Sequence, residues 1–325
     1  MKKLRNIFCA ALALLLAMSC AACSKSVEDG TTSDSEPDTQ VTVISADGTT
    51  AKTVISNDGG TIAQNGETKN QPAAGGDNAR EPESPDGGSV QRETVRVTIT
   101  EGMTLTQIFK KLEANGVCSF DDLMKTAESY DYSYYPLIAA RPSNTRAFKL
   151  EGYLFPNTYD FYKNEKPQDA IGRFLRVGEK YITSADRAKA KSMGYSMDQV
   201  LTVASIIEKE GANPNEVRKI AAVIYNRLKA GKQLQMDSGI YYIERNVKPY
   251  ISGDVNRYNS LYNMYKCKGL PAGPICNPGA RTINAALDPA DVSYLYFCHD
   301  SSAKYYYADT YEEHLENLKK AGIAS

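Results

Sequence analysis

The sequence has no tryptophan, only two histidines among its 325 residues, and no surplus of either charge. With His299 and His314 alone, a histidine-built metal site is not expected, and we expect no cofactor. Lysine and arginine together number 38 against 39 acidic residues, which gives a net charge of -1. Because phosphate binding draws mainly on basic side chains, this balance argues against a nucleic-acid partner.

Cysteine is scarce beyond the N-terminal segment. After residue 23 the chain contains only Cys118, Cys267, Cys276 and Cys298. Their spacing is not typical of metal ligands. Unpaired thiols are the favoured interpretation, because free cysteine behaves as a small buried hydrophobe. A disulfide between Cys267 and Cys276 stays open as an alternative.

The first 23 residues have the layout of a bacterial export signal. Basic residues lie within residues 2–5, residues 7–18 are almost continuously apolar, and small residues follow. The apolar run is shorter than the roughly 20 residues of a membrane span. Residues 21–23 resemble a lipoprotein cleavage box that would place the lipid on Cys23. Acylation of Cys20 and an uncleaved anchor helix stay open as alternatives. All three arrangements predict that the rest of the protein lies at the extracytoplasmic face of the cell membrane.

Residues 24–93 contain no leucine, methionine, phenylalanine or tyrosine. Such a segment cannot bury enough apolar surface to offset the entropy lost on ordering, so we predict a disordered tether. Two short runs, residues 41–44 and 53–55, are compatible with a weak hairpin, although an isolated hairpin is marginal in water.

The ordered part is predicted to begin with a small lobe at residues 94–149. Val95, Val97 and Ile99 alternate with polar residues, as in a half-buried strand. Thr104 and Ser119 each precede a helical pattern and predict capping boxes. This strand–helix–helix order resembles a glycan-binding LysM module, a βαα(β) unit, and a generic α/β lobe fits it equally well.

Residues 150–325 are predicted to form a mixed, helix-rich α/β domain, so that the chain as a whole is α+β. Ser196 predicts the start of a helix over residues 197–210, with Gly211 ending it. Residues 293–297 and 304–308 predict a strand pair, and Thr310 predicts the start of the last helix.

Two carboxylates end the helix predicted at residues 197–210. At 100° per residue, Glu208 and Glu210 fall on opposite flanks of the apolar stripe, while Lys209 points to solvent. Partial burial at such a margin raises a carboxyl pKa, as a general acid requires. The helical wheel does not decide which glutamate is catalytic, and two solvated surface glutamates remain an alternative.

Several blocks from residue 95 to the C-terminus, taken in order, resemble the YceG-like endolytic murein transglycosylases. The blocks are residues 151–159, 204–210, 226–228, 234–237, 262–263, 269–279 and 294–297. The resemblance implies a lyase that cleaves the MurNAc–GlcNAc bond of nascent peptidoglycan strands and leaves 1,6-anhydroMurNAc ends. It also implies glycan strands as the substrate and peptidoglycan synthases as possible neighbours at the membrane.

The same resemblance assigns catalysis to Glu208, the first glutamate of the Glu-Lys-Glu triplet. The residues expected to bind substrate are Gln235, Asp237, Tyr262, Asn263, Glu210 and Glu151. For Tyr262, core packing and sugar stacking are equally open, whereas core packing is favoured for Tyr258 and Tyr265. The chain departs from the family in its lipobox-like N-terminus and in the cysteines that flank the Gly-Leu-Pro loop.

Two other functions remain open on the sequence. A hydrolase would use Glu210 or Asp237 to activate water. A non-catalytic lipoprotein would only bind the cell wall, through the lobe.

Overall fold

The computed structural model describes residues 40–44, 50–54, 92–142, 146–211 and 213–324. They belong to two compact units, Met1–Gly88 and Ser89–Ser325. In the first unit, β1 (Gln40–Ile44) pairs antiparallel with β2 (Thr50–Val54), which confirms the predicted hairpin. The predicted signal at residues 1–23 and most of the predicted tether lie outside the described residues.

The second unit combines many helices with two small sheets, which confirms the α+β class. Its first half contains β3 (Thr94–Ile99), α1 (Leu105–Ala114), α2 (Phe120–Ser129), α3 (Pro136–Ala139), β4 (Asn157–Tyr162), α4 (Pro167–Tyr181) and α5 (Ser184–Ser192). Its second half contains α6 (Met197–Lys209), α7 (Val217–Lys229), α8 (Ser238–Tyr242) with a π-helical turn (Ile243–Val247), α9 (Arg257–Tyr262), α10 (Ala280–Leu287), β5 (Tyr296–His299), β6 (Tyr305–Ala308) and α11 (Tyr311–Lys320).

Strands β3 and β4 form an antiparallel ladder that runs from the pair Thr94–Tyr162 to the pair Ile99–Asn157. Helices α1 and α2 lie between these strands in the chain, so the order is strand, helices, strand. The full capping box forms at Thr104, where α1 begins. Strand β4 begins at Asn157, after residue 149, where the small lobe is predicted to end. The lobe boundary at residue 149 stays a prediction.

Helix α6 is the central helix of the second unit. From Met197 to Ile207, every residue except Gln199 is buried. The helix is therefore covered on all sides rather than along one stripe, as expected when neighbouring helices enclose it. The predicted capping box forms at Ser196, and Gly211 follows the helix with φ 63°. Glu208 thus extends from the last turn of a rigid, enclosed helix.

The C-terminal strands β5 and β6 pair antiparallel, as predicted, close to the predicted positions. The four cysteines of this unit are unpaired, which confirms free thiols over a Cys267–Cys276 disulfide. Within the described residues, none of the helices has both the length and the apolar character needed to cross a bilayer.

Candidate active site

Glu208 is half-buried, and its two carboxylate oxygens have different surroundings. Oε2 accepts a hydrogen bond from the backbone N–H of Gly279 at 3.0 Å and another from the Thr282 hydroxyl at 2.7 Å. Among the described residues, none donates a hydrogen bond to Oε1. One oxygen is therefore fixed and the other is free for a substrate.

The groups that hold Oε2 belong to the start of α10. Gly279 is the N-cap residue of this helix, and Thr282 lies in its first turn. A helix N-terminus carries partial positive charge and unpaired N–H groups, so it stabilises a carboxylate placed against it. The start of α10 thus fixes the position of the Glu208 carboxyl through Oε2.

The segment after β3 packs against the other side of this site. The Lys209 ammonium donates a hydrogen bond to the carbonyl of Gly102 at 2.6 Å. A Cβ atom on Gly279 would lie 2.4 Å from Cγ of Glu101, so only glycine permits this approach. The loop that follows β3 and the start of α10 therefore meet at Glu208.

Glu151 is 1% exposed and joins three parts of the chain. Its oxygens accept hydrogen bonds from the Leu105 N–H at 3.0 and 3.2 Å, the Asn277 amide at 3.1 Å and the Tyr242 hydroxyl at 3.2 Å. It therefore satisfies a donor at the start of α1. Its burial favours an organising role over the expected contact with substrate.

Asn277, which the sequence analysis assigns no individual role, links the same parts. Its amide oxygen accepts from the Leu154 N–H at 2.8 Å, and its amide nitrogen also donates to the Met103 carbonyl at 3.0 Å. Its signal in the sequence is its place directly before Pro278 and Gly279, a pair typical of turns. These bonds fix the loop that leads into Gly279.

Burial raises the pKa of Glu151 from 4.5 to about 8, against the opposing effect of its hydrogen bonds to the Leu105 N–H and the Tyr242 hydroxyl. A carboxyl whose pKa is higher in the folded state contributes stability below about pH 4.5 that is lost as pH rises through about 8. A neutral Glu151 fits the site because its O–H can instead donate to the Tyr242 oxygen.

Glu151→Gln should therefore flatten the fall in stability between about pH 4.5 and 8 while keeping the fold. The glutamine amide supplies the same acceptor and one donor toward Tyr242. Urea unfolding midpoints of both proteins, measured across this pH range, test the expectation. A variant profile parallel to that of the parent chain would contradict it.

Glu210 occupies a different position from Glu208. Its Oε1 accepts a hydrogen bond from the Ser238 hydroxyl at 3.1 Å. The residue is half-exposed, yet burial of the carboxyl, with a smaller contribution from the negative charge of Asp237, raises its pKa to about 7. Glu210 thus belongs with Ser238 and Asp237, whereas Glu208 belongs with α10.

Gln235 and Asp237 lie on the segment that approaches Glu210. Gln235 is exposed and adopts φ 56°, a conformation that is uncommon outside glycine. Its side-chain oxygen accepts from Arg227 at 2.5 Å, and its N–H donates to the Met264 carbonyl at 3.0 Å. Asp237 is half-buried at the start of α8. Both remain candidates for substrate contact.

Tyr262 is 1% exposed, and its hydroxyl accepts a hydrogen bond from the Ala147 N–H at 3.0 Å. This burial favours core packing over sugar stacking. Tyr258 also lies in the core, as expected, but the same expectation is wrong for Tyr265, which is 41% exposed. Asn263 is buried, and its side chain accepts from the Tyr265 N–H, which shapes the turn after α9.

Two concave regions lie near α6. A cavity of 1190 Å³ lies by its N-terminal end, beside Asp198 and Gln199, and does not include Glu208. The cavity also reaches Thr202, which is six residues before Glu208, so at about 1.5 Å per residue this part of its lining is about 9 Å from Glu208 along the helix. A cleft of 330 Å³ is lined by Glu101 and Ala280, which adjoin the residues that hold Glu208. Of these two regions, the smaller cleft adjoins the groups that hold Glu208.

Known proteins are similar to this chain over about two thirds of its length. The Bacillus subtilis (strain 168) endolytic murein transglycosylase is 32% identical over 235 residues, covering 69% of this chain and 64% of that relative. The Streptococcus pneumoniae (strain D39) protein of the same name is 32% identical over 242 residues, covering 68% of this chain and 44% of that relative. The chain thus spans less than two thirds of the length of either curated relative.

A crystal structure of a YceG-like protein from Listeria monocytogenes is 33% identical and has a TM-score of 0.58. That similarity covers 68% of this chain and 75% of the Listeria chain. The model of the YceG-like family matches residues 83–320, which is most of the sequence. The chain therefore belongs to the YceG-like family.

Proposed function

We propose that the chain is an endolytic lytic transglycosylase that cleaves the MurNAc–GlcNAc bond of nascent peptidoglycan strands and leaves 1,6-anhydroMurNAc ends. The observation that carries the proposal is the carboxyl of Glu208, with Oε2 held by Gly279 and Thr282 and Oε1 open. The relatives named endolytic murein transglycosylase support the same reaction class.

In this mechanism Glu208 acts first as the acid and then as the base. The proton on Oε1 passes to the glycosidic oxygen, and the bond from that oxygen to C1 of MurNAc breaks, leaving C1 oxocarbenium-like. The Glu208 carboxylate, stabilised by Gly279 and Thr282, then takes the proton of the C6 hydroxyl, whose oxygen bonds to C1. Because the nucleophile is already part of the substrate, no water is consumed.

A hydrolase is the competing function, with Glu210 or Asp237 activating water. Burial raises the pKa of Glu210 to about 7, so near neutral pH its carboxyl is less fully ionised than that of an exposed glutamate. Its carboxyl is bonded to Ser238 and lies with Asp237, away from the groups that hold Glu208. We therefore assign Glu210 a supporting role near the Gln235–Asp237 segment.

We further propose that the lobe from β3 to β4, which contains α1, α2 and the short α3, is a LysM-like module that guides the glycan toward Glu208. Its order of strand, helices and strand and its contact with the site at Glu101 and Gly102 support this role. The signal-like residues 1–23 support attachment to the extracytoplasmic face of the membrane, through a lipid on Cys23 or through an anchor helix. Peptidoglycan synthases at that face are proposed partners.

Mass spectrometry of the products tests the proposal. The full chain, purified in detergent, should release fragments with 1,6-anhydroMurNAc ends from purified sacculi. Fragments with reducing ends, heavier by one water, would replace the lyase with the hydrolase. Binding to sacculi without any release of fragments would favour a non-catalytic wall-binding protein.

A further inference from the structure

We propose that the 330 Å³ cleft beside Glu208 binds one N-acetylglucosamine ring of the glycan strand, through Tyr181 and Glu101. The inference rests on the proposed function for the identity of the strand. Tyr181 and Glu101 are outside the motifs that carry the family resemblance, whereas the cleft residues 155–158 belong to the block at residues 151–159. The cleft lies between the paired ends of β3 and β4, the end of α4 and the start of α10.

Tyr181 supplies an apolar face to this cleft. It is the last residue of α4, and it is 54% exposed although the ring is large and aromatic. One face stacks on Phe155, with ring centroids 4.4 Å apart and planes 13° apart. Phe155 itself is 7% exposed, so it holds the tyrosine ring in one orientation. A fixed, exposed aromatic face suits the apolar C–H face of a sugar ring.

Glu101 supplies an acceptor for sugar hydroxyls. It is exposed, and within the described part of the chain no group donates a hydrogen bond to its carboxylate. Its side chain nevertheless lies directly over Gly279, since a Cβ there would be 3.3 Å from Oε1 of Glu101. A carboxylate without a protein donor in a cleft is ready to accept from ligand O–H groups.

The rest of the lining fits a neutral, hydroxyl-rich ring. Glu101 is the single charged residue among the described residues that line the cleft, and no cation faces it there. The Thr98 and Thr158 hydroxyls lie 2.9 Å apart at its edge. A volume of 330 Å³ is at the lower end for ligand pockets, about 300–1,000 Å³, which suits a sugar without a peptide stem. N-acetylglucosamine is the stem-free sugar of the strand.

The cleft reaches the reaction centre through two pairs of neighbouring residues. Ala280 lines the cleft, and the preceding Gly279 donates a hydrogen bond to Glu208. Glu101 lines the cleft, and a Cβ on the following Gly102 would lie 3.6 Å from Cγ of Glu208. A sugar ring in the cleft is therefore next to the sugar whose bond Glu208 protonates.

Chitotriose, an N-acetylglucosamine trimer without peptide, is the probe that tests the subsite. Binding is measured by calorimetry or NMR titration in a Glu208→Gln background, and KM and kcat on sacculi are measured in the parent background. We expect Tyr181→Ala to weaken binding and raise KM by about fivefold, through loss of the stacked ring. We expect Glu101→Gln to weaken chitotriose binding and raise KM by about tenfold, through loss of a charged acceptor.

Matched variants separate this role from a structural one. Tyr181→Phe keeps the ring and should bind as the parent does. Glu312→Gln removes an exposed charge from the first turn of α11 and should change neither the chitotriose affinity nor the KM on sacculi. The unfolding temperature of Glu101→Gln should match that of the parent, because its carboxylate holds no described group.

The outcomes distinguish this inference from the proposed function. If sacculi are cleaved but Tyr181→Ala and Glu101→Gln retain the parent KM and chitotriose affinity, the subsite is overturned and the lyase stands. If chitotriose binds and both variants weaken it while no fragments are released from sacculi, the subsite stands and the lyase falls. Loss of binding in Tyr181→Phe equal to that in Tyr181→Ala would also overturn the stacking role.

Discussion

Replacing Glu208 with glutamine should lower the release of anhydro ends from sacculi by about 1,000-fold, within the range of about 10²–10⁴ that a general acid contributes. Glutamine keeps the shape of the side chain and an oxygen that can accept from Gly279 and Thr282. It has no proton acidic enough to give to the glycosidic oxygen. Initial rates of fragment release, followed by mass spectrometry, measure the effect.

Glu210→Gln is the matched control for this substitution, since it changes the other glutamate of the same helix end. Its activity should stay within about tenfold of the parent, because it orders neighbours and transfers no proton. The Glu208→Gln protein should still unfold in one cooperative thermal transition, because glutamine keeps an oxygen for Gly279 and Thr282. Full activity in Glu208→Gln, or a larger loss in Glu210→Gln, would remove the assignment.

The sequence predicted the features that depend on a few adjacent residues. The capping boxes at Thr104, Ser196 and Thr310 form as expected, because each joins a hydroxyl and a side chain three residues apart. At Ser119 the hydroxyl accepts a hydrogen bond from the Asp122 N–H, as in a capping box. The Asp122 carboxylate, however, accepts its hydrogen bond from the Ser119 hydroxyl and not from the Ser119 N–H. Interactions between residues close in sequence therefore predict where these helices begin.

Features that join distant residues were harder to predict. The sequence does not predict strand β4, because its partner β3 lies about 60 residues earlier and its own residues include exposed polar side chains. Tyr262 fits core packing and sugar stacking equally at helical spacing. Its 1% exposure and its packing against Tyr242, with ring centroids 5.1 Å apart, favour the core. The spacing of residues along the chain therefore does not determine which strands pair or which side chains are buried.

The candidate site shows the same division. The Glu-Lys-Glu triplet pointed to Glu208, but nothing local to it indicated Thr282, which lies 74 residues further along the chain. Glu101 carried no motif, since an isolated glutamate after a strand is usually solvated surface. Its significance comes from Gly279, where the absence of a side chain lets the two segments touch.

A buried ion pair at the start of α6 also went unpredicted. Asp198 accepts two hydrogen bonds from the Arg146 guanidinium, both at 3.0 Å, and one from the Tyr153 hydroxyl at 2.5 Å. The arginine and aspartate side chains are 1% and 6% exposed. The pair joins the segment before the Glu151 block to the helix that carries Glu208. Its integrity therefore affects the alignment of the whole site.

Asp198→Ala should lower the free energy of unfolding by about 3–5 kcal/mol, because it leaves the buried guanidinium without its carboxylate. Asp160→Ala is the matched control, since Asp160 also accepts two hydrogen bonds from one arginine, Arg96, at 2.8 and 3.1 Å. Those side chains are 73% and 60% exposed, so water replaces the partner and the unfolding midpoint should not change. Urea denaturation of both variants compares the two pairs directly. Equal losses would mean that burial of the Arg146–Asp198 pair adds nothing, and the enclosed start of α6 would then depend on apolar packing alone.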